Sequence, residues 1–78
     1  MKKGDVVSYM FDTGAMGLSP TYGIVIQAGP KTFTVAWESG NRNRVEQGYR
    51  GIRKLAESEI DHDVLGSIRR VLETLGGS

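Results

Sequence analysis

The chain has 78 residues, a formal net charge of +1, 38% hydrophobic and 24% charged residues, and no cysteine. This is one domain at most, with the balance of a folded chain rather than a disordered one. The missing cysteines exclude a disulfide framework, a thiolate metal site and a cysteine nucleophile. No apolar run nears the ~18 residues of a membrane span, and none follows Lys2-Lys3 as a secretory leader would, so a cytoplasmic protein without membrane contact is expected.

In chain order, Asp5 to Phe11 reads as a first strand, with Val7, Tyr9 and Phe11 on one face. Asp12 to Pro20 holds two glycines and a proline and reads as a long loop. Thr21 to Gln27 is a second strand, followed by a tight connection at Ala28-Gly29-Pro30-Lys31. Thr32 to Glu38 is a third, with Phe33, Val35 and Trp37 alternating against Thr32, Thr34 and Ala36. After a turn at Ser39-Gly40-Asn41, Arg42 to Gln47 is a weaker fourth strand, and Ile52 to Leu55 a short fifth. Short strands at close, regular spacing indicate a small antiparallel barrel or sandwich. A chain of this size buries only about 60% of its unfolded surface, so most of the six aromatic residues are expected in the core.

The period then changes. Ile60, Val64, Leu65, Ile68, Val71, Leu72 and Leu75 follow helical spacing and form one apolar stripe. Asp61 is placed to cap that helix, with Ile60 and Leu65 as a hydrophobic staple; Ser58 with Asp61 is an alternative capping pair. Gly76-Gly77 ends it. Gly66 sits mid-helix at a cost of about 1 kcal/mol against alanine, a cost that close approach of the helix to the strands would explain, although by angle Gly66 lies outside the apolar stripe. The stripe is broader than a two-stranded coiled-coil seam, so docking on the chain's own strands is favoured over pairing with a second copy.

Three pieces resemble the SH3-like small barrels of the KOW and Tudor kind: Lys3-Gly4-Asp5-Val6-Val7 leading into the first strand, Gly23-Ile24-Val25 in the second, and Thr34-Val35-Ala36-Trp37-Glu38-Ser39-Gly40 around the third. Ile52-Arg53-Lys54-Leu55 is similar to that family's short last strand. The resemblance covers roughly residues 3–55 and implies a fold that is mainly β with one helix: a five-stranded SH3-like antiparallel barrel over 1–56 plus a C-terminal amphipathic α-helix within 57–78. The family includes ribosomal, transcription-elongation, methyl-lysine-reading and phage or plasmid accessory proteins. The type II dihydrofolate reductases share the scaffold, with a V-Q-I-Y stretch in the pore of a tetramer. Arg44-Val45-Glu46-Gln47-Gly48-Tyr49 lacks that motif, so an oligomeric reductase is the distant alternative.

Charge divides unevenly. Residues 1–56 carry eight Lys and Arg against four Asp and Glu, a net +4, and residues 57–78 carry two against five, a net −3. Arg42, Arg44, Arg50, Arg53 and Lys54 lie close together in sequence, interleaved with Asn41, Asn43, Gln47 and Tyr49. Guanidinium forks suit phosphates, and amides and phenols add hydrogen bonds, so Arg42, Arg44, Tyr49, Arg50, Arg53 and Lys54 are candidates for a nucleic-acid face. The competing reading is a solvated edge, or pairing with the acidic helix start. Met16 and Leu18, apolar in a loop, are candidates for a protein contact or self-association, against the alternative that both plug the core.

Catalytic chemistry lacks its parts. His62 is the sole histidine, and in Asp61-His62-Asp63 successive side chains point about 100° apart, so neither a zinc site nor any other metal site is expected. The serines have no nucleophile elbow, and Gly14-Ala15-Met16-Gly17 has no following Lys-Ser or Lys-Thr to cradle a phosphate. An aromatic cage would draw on Tyr9, Tyr22, Trp37 and Tyr49, although Tyr9 and Trp37 also fit the alternating core. The expected function is a small non-enzymatic accessory binding module without cofactor, of protein-interaction or oligomerisation type, in the style of phage or mobile-element chains. A nucleic-acid-binding barrel is the alternative.

Overall fold

The structure, a computed structural model, describes residues 1–12, 14, 15 and 17–76. Among these lie five strands, β1 (Val6–Asp12), β2 (Leu18–Ala28), β3 (Thr32–Trp37), β4 (Arg42–Glu46) and β5 (Ile52–Lys54), then a 3₁₀ turn at Glu57–Glu59 and one helix, α1 (His62–Gly76). The strands form one antiparallel sheet in the order β4-β3-β2-β1-β5. The expected mainly β chain with one C-terminal helix is thus observed. The sheet does not close into a barrel: β4 and β5 are its two edges.

The lead-in to β1 is a turn built by Gly4 and Asp5. Gly4 has a φ of +96°, which side-chain-bearing residues rarely adopt. The Asp5 carboxylate accepts the Lys2 N–H at 2.8 Å, and the Asp5 N–H donates to the Lys2 carbonyl at 3.1 Å. Gly4 N–H to the Val25 carbonyl (2.8 Å) and Val25 N–H to the Asp5 carbonyl (2.9 Å) then set the register of β1 on β2.

That register corrects the expected Asp12–Pro20 loop. Asp12 still belongs to β1, and Leu18, Ser19 and Pro20 already belong to β2, opposite Asp12, Phe11 and Met10. Alternation from the bonded Asp5/Val25 pair makes Met10↔Pro20 a non-hydrogen-bonded pair, so β1 requires no N–H from Pro20. On the other side β3 pairs only from Gly23 onward, so Pro20 sits where β2 is still an edge.

Each face of the sheet buries its own core. On the inner face Val7, Val25, Phe33, Val35, Trp37 and Ile52 pack together, with Tyr9 and Val45 against them. Burial of each such side chain contributes about 1.5–3 kcal/mol relative to exposure. On the outer face Leu55, Val64 and Ile68 pack with Val6, Tyr22, Ile24 and Ile60, which docks α1 on its own sheet, chiefly against β2. In a flat sheet β4 and β5 would stand about 19 Å apart. Val45 and Ile52, from those two edges, share the inner core, so the sheet is strongly curled.

Asp61 caps α1 as expected, its carboxylate accepting the Val64 N–H at 3.0 Å. Val64, Ile68 and Val71 are buried, whereas Leu65 and Leu72 on the flank of the stripe are 46% and 50% exposed. Gly66 makes no close approach: a Cβ there would meet nothing within 4 Å. Close approach to the strands therefore does not explain it, in keeping with its angle outside the stripe. Among the described residues no helix is long and apolar enough to cross a membrane.

Candidate functional site

Curling without closure leaves part of the inner face uncovered. There an open cavity of about 570 Å³ lies between the two edges, lined by residues of all five strands and of the β4–β5 connection. Three aromatic residues line it: Tyr9 from β1, Trp37 from β3 and Tyr49 from the connection. The Tyr9 and Trp37 ring centroids are 6.3 Å apart with planes tilted by 54°, within the range of favourable aromatic pairs. Tyr22 is on the outer face under the helix, so of the four rings considered for a cage it alone is elsewhere.

Two glycines set the other rings. Gly23 pairs with Trp37 across β2 and β3, and a Cβ on Gly23 would stand 2.7 Å from Trp37 Cε3, 2.7 Å from the Ala36 carbonyl oxygen and 2.8 Å from Val35 Cγ1. The indole therefore lies directly over the bare Gly23 backbone. Gly51 does the same for Tyr49: an added Cβ would fall 2.5 Å from Cε1 and from the hydroxyl oxygen. Trp37 is only 8% exposed, while Tyr49 is half exposed at the rim.

The polar lining is Thr21, Ser39, Asn41, Asn43 and Arg44. Among the described residues, none of these side chains, nor the Tyr9, Tyr49 or Trp37 polar groups, has an internal hydrogen-bond partner. No buried side-chain nitrogen or oxygen is left unpaired among the described residues, so the Trp37 N–H reaches solvent. The lining contains one charge, Arg44, and no carboxylate. The cavity thus offers flat apolar walls with free donors and acceptors; Arg44, of opposite strand parity to Asn43 and Val45, brings its charge to the other side of the β4 edge.

The expected basic face is divided. Arg42 and Arg44 stand on edge strand β4, Arg53 and Lys54 on the opposite edge strand β5. Arg44 borders the cavity, and Arg42 borders a small cleft with Val71 and Leu75 at the end of α1. Arg50 is exposed in the connection that carries Tyr49. Arg53 is engaged by Glu59 at 2.6 Å and Lys54 by Asp5 at 3.6 Å. The Glu59 carboxylate also accepts the Ala56 N–H at 3.0 Å; that bond, then the Arg53 guanidinium, holds its pKa below the usual glutamate value. Gln47 is structural, its amide donating to the Gly29 and Met1 carbonyls.

Leu18 is 66% exposed at the start of β2 and does not plug the core; Met16 lies outside the described residues. His62 is an exposed first-turn residue, and among the described residues no three His, Cys, Asp or Glu side chains gather as metal ligands. No family model, curated protein or solved structure matches the chain.

Thr21 escaped the sequence reading, and Asn43 enters it only as an amide beside the arginines, not as a cavity wall. The signal was present for Asn43: in Asn43-Arg44-Val45 it shares strand parity with Val45, so an inward valine implies an inward amide.

Proposed function

We propose that the chain is a small non-enzymatic binding module of the SH3-like kind whose cavity receives an unpaired base of a single-stranded nucleic acid. The resemblance of the Lys3–Val7 lead-in, together with a short last strand returning to β1, supports the SH3-like assignment. The observation that carries the functional reading is the cavity lining: aromatic side chains for stacking and uncommitted amides and hydroxyls for the base edge, with Arg42 and Arg44 on the adjoining β4 edge for the backbone. A methylated ammonium would also favour ring faces, but the lining holds no carboxylate to pair with its charge.

Trp37 is the sole tryptophan, so its emission reports directly on an occupant. Titration with single-stranded oligomers of about ten nucleotides is expected to quench it with micromolar affinity that falls steeply as salt rises. Tyr49→Ala should weaken binding by about 5–150-fold, the worth of one stacked base. Arg42→Ala with Arg44→Ala should reduce the salt dependence. Emission unmoved by saturating oligomer, or affinity indifferent to salt, would overturn the reading.

A second reading, self-association or protein contact, has its own observation. Register places Met10, Leu18 and Pro20 on one face of the β1–β2 hairpin, with Met10 50% and Leu18 66% exposed. Light scattering on the intact chain is the measurement. This reading expects a defined oligomer that Leu18→Asp dissociates, and a monomer at all concentrations removes self-association.

A further inference from the structure

We infer that Asn43 is the residue that reads the hydrogen-bonding edge of the base seated in the cavity, an assignment that rests on the nucleobase reading above. Asn43 pairs with Val35, a fully buried member of the inner core, and its strand neighbour at the same parity is Val45, packed on that core. Alternation therefore places an amide on the face where a closed core would demand an apolar side chain. Among the described residues that amide has no internal partner. It lines the cavity together with Trp37 and Tyr49, the residues assigned to stacking. A base held by its faces presents its edge sideways, and Asn43 supplies a group on the inner wall that can meet it.

An amide carries a donor and an acceptor side by side. The Watson–Crick edge of every base also has a donor next to an acceptor, so asparagine matches each base by turning its amide. Asparagine at this position fits a reader tolerant of sequence. A carboxylate only accepts. Among the bases, guanine alone offers two adjacent donors on that edge, so Asn43→Asp should retain guanine and lose the others.

The test uses a deoxyribose oligomer of about ten positions, abasic except for a single adenine, cytosine or guanine at its centre, read by Trp37 emission. Wild-type chain is expected to bind the three within a few-fold of one another. Asn43→Asp is expected to raise the guanine-to-adenine and guanine-to-cytosine affinity ratios by about tenfold, the discrimination of one bidentate contact. Ratios are used because the added charge weakens all oligomers alike. Asn43→Ala with purine in place of adenine gives an independent answer if the aspartate variant fails to fold. Wild type should lose several-fold in affinity when the exocyclic amine is removed, and the alanine variant should not notice. Equal losses for all bases, or equal sensitivity of both chains to that amine, would overturn the assignment while leaving the cavity reading intact. If no oligomer quenches Trp37, both fall.

Discussion

Gly23 and Gly51 do similar work for unequal stakes. At Gly23 the atoms crowding an added methyl include a backbone oxygen and two buried side chains of β3, none of which can retreat. Gly23→Ala should therefore cost about 1–3 kcal/mol of stability, the usual penalty for overpacking. At Gly51 the crowding atoms belong to the far end of Tyr49, a half-exposed ring that can swing outward. Gly51→Ala should leave stability within about 0.5 kcal/mol of wild type. It should nevertheless reduce oligomer binding as much as Tyr49→Ala does, because the ring leaves the cavity. Denaturant melts beside Trp37 titrations separate the two outcomes. Both glycines stand in the sequence as punctuation; only the register and the ring positions show that each is a seat for an aromatic side chain.

At the scale of elements, α1 carries a correctable weakness. Gly66 lies mid-helix, exposed, with open space where its Cβ would be. Gly66→Ala should therefore stabilise the chain by about 0.5–1 kcal/mol, read as a raised midpoint of thermal unfolding, with oligomer affinity unchanged because α1 is on the other face of the sheet. The helix was legible in advance from local signals: the Asp61 cap and the Val64, Ile68 and Val71 line act as read, while Leu65 and Leu72 of the same stripe stay about half exposed. The strands were legible for a similar reason, since Phe33, Val35 and Trp37 alternate in a run of six residues. Leu18–Pro20 was not, because proline and glycine composition reads as loop unless one knows that Pro20 faces Met10 at a pair needing no N–H. Nor was the division of the basic residues, because the placement of β4 and β5 at opposite edges depends on pairing between distant segments. Tyr49 reads both as company for arginines and as one ring of a cage, and it stands as a cavity wall beside Tyr9 and Trp37.

The molecule as a whole is one sheet with a core on each side, and neither side suffices alone at this length. Ile68 is buried on the helix side, far in sequence from the cavity. Ile68→Ala should lower stability by about 2–4 kcal/mol. Because one sheet serves both cores, Trp37 emission and far-ultraviolet circular dichroism should still report a single coincident transition. Non-coincident melts would show that the helix side can come away by itself.

A sheet that stops short of closure has bare margins, and a bare margin invites a second chain to zip onto it. Two copies laid antiparallel along β4 about its central residue would bring Arg44 against Arg44, like charges face to face at the middle of the seam. Arg44 thus also sets charge against that particular seam, a guard on the border of a mouth left ajar.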